Sequence, residues 1–413
     1  MLLSLSLHAC AESIPAALDN NPEPGGDAIA ERADIAEPNT AETSSVEVES
    51  APDLEVKTPE EDTSLDVLPP LDIDEPGPEV SAPIDPSGSF EIAEDACCLT
   101  VSGDRALWSE GGNLWVHTLS TGKSEMVAQH PSYQTDPALS GDVVVWADDR
   151  GGDQDIWMLN LSGGEPTLLF GAPGDQDAPS IDGTRVVFVH RATAPYSDKE
   201  ADIWMIDLVD ASMAKALTSD LSEQSYPHIK GDRVVWTDFR NDPQGVYTDF
   251  VDPFENNGDI FGYDLDEDLG FLVTDDPSKQ LRPISDGDDL VWLDWRGINP
   301  EPKYSEFQVY TRTISPDKVL GAERLVAWSS WETPELWQRP SVLGGVVAWI
   351  GVPEEESFAS GVFSAKLSDA TITPNLIAGS EGTLEAVSLS PQGILWLGAG
   401  TLGIEAFDIG SGQ

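Results

Sequence analysis

Pro137-Ala138-Leu139-Ser140-Gly141-Asp142-Val143-Val144-Val145-Trp146-Ala147-Asp148-Asp149-Arg150, followed by Asp155-Ile156-Trp157-Met158-Leu159-Asn160-Leu161, is the stretch whose reading decides the fold. A short strand ends at Ser140, Gly-Asp reverses the chain, and a β-branched run leads into Trp146. Two such runs joined by Gly-Asp read as a β-hairpin, because the turn needs a residue that reaches positive φ. The pattern recurs along the chain. Gly followed five residues later by an aromatic is found at Gly103/Trp108, Gly141/Trp146, Gly183/Phe188, Gly231/Trp236, Gly287/Trp292 and Gly344/Trp349. Ser390-Pro391-Gln392-Gly393-Ile394-Leu395-Trp396 is a seventh copy that keeps the spacing of Ser102 to Trp108.

Each unit reads as strand A, tight turn, strand B, loop, strand C, loop and strand D. Strand C follows as Asp155-Ile156-Trp157, Asp202-Ile203-Trp204 and Asp259-Ile260-Phe261, with Asn113-Leu114-Trp115 in the first copy. No segment sustains a 3.6-residue apolar period, so helix is nearly absent. Repeats of about 46 residues, each a four-stranded antiparallel unit, predict an all-β fold, a seven-bladed β-propeller. The last copy stops at Gly403-Ile404-Glu405-Ala406-Phe407-Asp408-Ile409 without a strand D, while Ser89-Phe90-Glu91-Ile92-Ala93 is a strand with no A, B or C before it. We expect that N-terminal strand to complete the last blade and close the ring.

The repeat resembles the TolB-type, WD-like β-propeller repeat, approximately Pro-x-Ile-Ser-Gly-Asp-x-Val-Val-Trp-x-Asp-x-Arg and then Asp-Ile-Trp-x-x-Asp-Leu. Pro137 to Arg150 with Asp155 to Leu161, and Pro227 to Arg240 with Asp259 to Leu265, match it best. The resemblance spans nearly all of 89–413 and implies fold more than function. Propellers of this type serve as periplasmic scaffolds, peptidase gates, lyases and surface binding proteins.

Composition divides the chain. Residues 11–88 lack Phe, Tyr and Trp, are rich in proline, and set only Arg32 and Lys57 against a run of carboxylates. Such a stretch reads as a disordered, self-repelling linker. All 13 tryptophans lie in 89–413, the expected propeller. With 75 acidic against 21 basic residues, the net charge of −54 excludes a nucleic-acid binder. Residues 1–10 end in Leu7-His8-Ala9-Cys10, which resembles the end of a bacterial lipoprotein signal peptide. That resemblance implies lipidation of Cys10 and an outer-membrane lipoprotein of the cell envelope, facing periplasm or exterior, with the lipid as its sole membrane contact.

Several repeated or asymmetric features are candidates for function. Asp-x-Arg follows strand B at Asp148/Arg150, Asp238/Arg240 and Asp294/Arg296, and is expected to tie the B-C turn to its neighbour. Gln134, Gln176, Gln224 and Gln280 are expected to bond D-A loop backbone. The B-C loops of blades three to five are longer than the rest: Ala192 to Ala201, Asn241 to Asn257 and Gly297 to Ser305. B-C and D-A loops share one face, so Tyr196, Tyr247, Phe250, Phe254 and Tyr304, with Trp295, Arg240 and Arg296 beside them, form a candidate binding rim.

Catalytic signatures are missing: no His-Glu-x-x-His, Gly-x-Ser-x-Gly, phosphate loop or Cys-x-x-Cys occurs. His228 on inner strand A is placed to face the channel, but Thr100, Ala138, Ser180, Ile284, Ser341 and Ser388 at the aligned positions make a poor transition-metal set. The acidic clusters Asp148-Asp149 with Asp153 and Asp155, and Asp264 to Asp268, offer Ca²⁺ ligand chemistry without an EF-hand order. Cys97-Cys98 reads as buried thiols or a vicinal disulfide. The sequence thus predicts a monomeric binding or scaffolding module for an envelope protein or polysaccharide, without a cofactor. Its alternative is a carbohydrate-active lyase or hydrolase with its site at the channel.

Overall fold

The computed structural model describes residues 87–93, 96–191, 201–242, 257–296, 306–330, 339–352, 360–398 and 400–405. Cys10 and the linker of residues 11–86 lie outside the described residues. The described chain forms seven four-stranded antiparallel sheets and no helix. Their innermost strands are Cys97–Ser102, Gln134–Ser140, Gln176–Asp182, Gln224–Lys230, Gln280–Asp286, Ser341–Leu343 and Leu384–Ser390. Each packs on the next, and Leu384–Ser390 packs on Cys97–Ser102, so the sheets make a ring. In the last sheet Ser87–Glu91 is the outermost strand and runs antiparallel to Thr401–Glu405, with Ser87 opposite Glu405 and Glu91 opposite Thr401. Both strands begin two residues earlier than the sequence suggested.

The aromatic that ends each B-strand apolar run faces an aromatic on strand C in six blades. The pairs are Trp108/Trp115, Trp146/Trp157, Phe188/Trp204, Trp236/Phe261, Trp292/Tyr310 and Trp349/Phe363. Cross-strand aromatic pairs of this kind add to sheet stability beyond their burial. In the seventh blade Trp396 faces Gly403, where a Cβ would collide with the indole.

Three blades extend this pair into a four-part stack. The Trp146, Trp236 and Trp292 indoles donate to Asp148, Asp238 and Asp294 at 3.1, 2.9 and 2.9 Å. Each carboxylate is fully buried and also accepts the backbone N–H and Nε–H of the Arg two residues on. The guanidinium then lies on the strand-C ring, 3.8 Å from Trp157, 4.2 Å from Phe261 and 4.3 Å from Tyr310. Burial raises the Asp148 carboxyl, but bonds from Arg150, Trp146 and Ser132 outweigh it and leave the group below its usual range. For Asp294 burial wins and the group sits above it. The expectation that Asp-x-Arg ties one blade to another is therefore corrected: the pair closes within its own blade, since two residues of separation let the fork fold back on its own carboxylate.

Blade-to-blade ties lie at the A-B turns instead. Gly141, Gly183, Gly231 and Gly344 N–H groups donate to Ser102, Ser140, Asp182 and Asp286 of the preceding blade at 2.8–3.0 Å. These glycines share φ between 56° and 59°, which a side chain disfavours. Arg105 and Arg185 pair with Asp142 and Asp232 of the next blade. Asp238→Ala, which leaves the buried Trp236 indole N–H without its acceptor and the partly exposed Arg240 guanidinium without its carboxylate, should lower the unfolding free energy by about 2–3 kcal/mol in urea titration. Asp142→Ala at the exposed tie should cost about 1 kcal/mol or less. Equal losses would contradict the buried stack as the stronger element.

Candidate functional site

The innermost strand of every blade has one edge without a strand partner, so its N–H groups need other acceptors. Side chains of the preceding blade supply them. Ser180 Oγ accepts from Ile229 N–H at 3.2 Å, His228 Nδ1 from Ser285 N–H at 3.3 Å, and Ser341 Oγ from Leu389 N–H at 3.0 Å. His228 thus occupies a position that Ser serves in two other blades. His228 is half-buried, and burial, with Arg339 and Lys230, pushes its pKa well below 6.5. An Nδ1 that accepts a backbone N–H in the neutral ring carries its proton on Nε2.

Two residues before that position, five of the inner strands are irregular. The ladder shifts register between Cys97 and Thr100, Thr135 and Ala138, Asp177 and Ser180, Ser225 and His228, and Leu281 and Ile284. The extra residues Cys98, Asp136, Ala178, Tyr226 and Arg282 have φ of 64°, 49°, 49°, 54° and 57°. Four of them directly precede a proline, and Arg339 stands in the same place before Pro340. In the last blade the shift between Leu384 and Ala386 marks Glu385. A bulge frees one residue from the ladder and re-aims its side chain. A non-glycine residue held at positive φ costs about 1–2 kcal/mol.

Three of these residues, Tyr226, Arg282 and Arg339, meet. Arg282 Nη2 donates to Tyr226 Oη at 3.1 Å and its guanidinium lies 4.1 Å over the Tyr226 ring. Arg339 Nη2 donates to the Tyr226 carbonyl at 3.0 Å and approaches that of Pro227 at 3.4 Å. Arg339 belongs to blade six and Tyr226 to blade four. Blades that are not neighbours touch only across the central channel, so Arg339 lies in it. Burial pushes its guanidinium down to about 10, Arg282 adds to the shift, and Tyr226 and Asp136 oppose it. Burial alone pushes the Glu385 carboxyl from 4.5 up to about 7. All this sits at the D-A end of the inner strands, where buried Gln134, Gln176, Gln224 and Gln280 bond the D-A backbone carbonyls of Ser132, Gly174, Ser222 and Ser278.

The rim anticipated from the sequence divides. Tyr196, Tyr247, Phe250, Phe254 and Tyr304 lie outside the described residues. Trp295 is 5% exposed and packs in the core with Phe239, Leu281 and Phe307. Arg240, which is exposed, and Arg296, which is half-buried, each pair with the buried carboxylate of their own blade, and Arg296 also reaches Glu323. Asp264 and Asp268 pair with Lys318 and Lys215. Asp155 is raised by burial and by Asp153, Asp148 and Asp175, but no group of three His, Cys, Asp or Glu side chains suited to a metal is found among the described residues. Cys97 and Cys98 are half-buried free thiols with sulfurs 2.8 Å apart. The cluster of Asp136, Tyr226, Arg282 and Arg339 escaped the sequence reading, although the residue before the strand-A proline varies in type while its flanks repeat.

No protein-family model and no curated protein sequence matches the chain. Solved structures do. The chain is similar to oligogalacturonate lyase from Vibrio parahaemolyticus, with TM-score 0.53 and 9% identity over 77% of this chain and 96% of that one. It is similar to puromycin hydrolase, with TM-score 0.51 and 16% identity over 80% and 55%. TolB from Acinetobacter baumannii gives TM-score 0.46 and 15% identity over 69% and 64%. Likeness at these identities establishes the β-propeller fold alone.

A carboxyl whose folded pKa lies above its unfolded value binds more protons when folded, so its contribution to stability falls as pH rises from 4.5 to about 7. Glu385→Gln should therefore match the parent in acid and exceed it in thermal stability at and above neutral pH. A parallel stability profile for the two proteins from pH 4 to 8 would contradict the buried carboxyl.

Proposed function

We propose that this chain is an exported, lipid-anchored envelope propeller that binds a protein or polysaccharide partner on its D-A and B-C face, with the channel mouth at the centre. The observation that carries this reading is the ring of bulged residues. A bulge that serves only the fold would repeat its residue type from blade to blade, as Gln134, Gln176, Gln224 and Gln280 do. Here five blades hold Cys98, Asp136, Ala178, Tyr226 and Arg282 in turn at positive φ, and Arg339 stands at the matching place of blade six. Strain concentrated at one opening and paired with varied side chains is the mark of a site. The B-C loops carrying Tyr196, Tyr247, Phe250, Phe254 and Tyr304 form the outer part of this surface in our reading. Cys10 carries the lipid, residues 11–86 the tether, and the strand Ser87–Glu91 latches the last blade to close the ring.

Capture from envelope extract with the mature full-length chain tests this. A partner retained by the natural protein and lost with Tyr247, Phe250 and Tyr304 all changed to Ala is the expected result; no retained partner, or equal retention, contradicts it. Cys10→Ala should move the protein from the membrane to the soluble fraction.

The second reading is a glycan lyase or hydrolase, which Glu385 favours because a carboxyl with pKa near 7 is poised for general acid or base work. Product release from envelope polysaccharide that Glu385→Gln abolishes would establish it.

A further inference from the structure

We propose that Cys97 and Cys98 are a redox modification site, which a small disulfide oxidant converts to a vicinal disulfide that steadies the joint between the first and last blades. The binding reading neither requires this nor follows from it. The chain has three cysteines, and two of them are neighbours that open the inner strand Cys97–Ser102. In an extended strand successive side chains point to opposite faces, so neighbouring sulfurs stay apart. The bulge removes that obstacle. Cys98 has φ of 64° and the ladder shifts between Cys97 and Thr100, which brings the two sulfurs to 2.8 Å. Adjacent Cα atoms stand about 3.8 Å apart, short of the usual disulfide span of roughly 4.4 Å or more, so neighbours join only where the backbone turns in this way. Both residues are half-buried, within reach of a small oxidant.

Position gives the pair its consequence. At the matching bulges Asp136, Ala178, Tyr226 and Arg282 are each followed by a proline, whose ring fixes the next φ. Cys98 is followed by Leu99, so the bulge of blade one lacks that restraint, and a ring through its own side chains supplies one. A bridge between neighbours closes the shortest loop and takes little freedom from the unfolded chain, so its effect is local rather than on global stability. Ala96 and Leu99 flank the pair, and both pack with Phe90 of the outermost strand of the last blade and Leu402 of the strand beside it. Ile92, between that outermost strand and the pair, donates its N–H to the Gly400 carbonyl at 3.0 Å. A stiffer bulge therefore holds these contacts more firmly.

The reaction is a two-electron exchange. One thiolate attacks a sulfur of the oxidant and expels a thiol; the second then attacks the mixed disulfide and expels the other. The protein loses two hydrogens, and the oxidant disulfide becomes two thiols.

Trypsin should release residues 58–105 as one peptide, which carries both cysteines and leaves Cys10 in another. The full chain is incubated with oxidised or reduced glutathione, and peptide mass and amide hydrogen exchange are then measured. We expect oxidation to make this peptide two hydrogens lighter, reversibly with dithiothreitol. Exchange in Ser87–Glu91 and Cys97–Ser102 should slow roughly tenfold while Gln224–Lys230 is unchanged. Cys98→Ser should carry a glutathione adduct instead of closing a ring. No mass change, a glutathione on each sulfur, a link to Cys10 or to a second chain, or a ring that leaves exchange unchanged or slows every blade alike would overturn the proposal.

Discussion

The unpartnered edge of each innermost strand governs the molecule. A sheet that ends at an axis leaves N–H groups facing the next blade, and each must find an acceptor. Ser180, His228 and Ser341 provide it within the channel, and Ser102, Ser140, Asp182 and Asp286 provide it at the A-B turns. Where such a bond is made, ring geometry fixes the chemistry of the position. A histidine at such a position is occupied with a backbone bond, and that is why His228 stands among serines rather than among metal ligands.

Within a blade, the acidic composition is handled by burial rather than avoided. Asp148, Asp238 and Asp294 lie under indoles and are each closed by the following arginine. The guanidinium satisfies the carboxylate in its plane and covers a ring with its face, so one side chain joins strand B to strand C through both charge and apolar contact. This is also why Arg240 and Arg296 serve the blade: their donors and their faces are already in use inside it.

The fold was legible because its signals repeat. A glycine turn, an apolar run and a terminal Trp or Phe mark seven hairpins, and Gln134 and its counterparts mark the D-A loops. Trp295 misled because an aromatic beside a loop reads as exposed, whereas neighbouring blades five and six enclose it with Phe307 and Val342. The channel mouth was hidden for a different reason. Asp136, Tyr226 and Arg282 share no residue type, and a search for repetition passes over the one column where variation is the signal. Their common feature is a backbone conformation, positive φ, that a residue before a proline rarely adopts and that no residue pattern announces.

Strain at that column has a consequence for recognition. Tyr226 is held by the proline after it, by the ladder on either side of its bulge, and by Arg339 from two blades away. A side chain so over-determined loses little freedom when a ligand arrives, which lowers the ordering cost that otherwise erodes affinity.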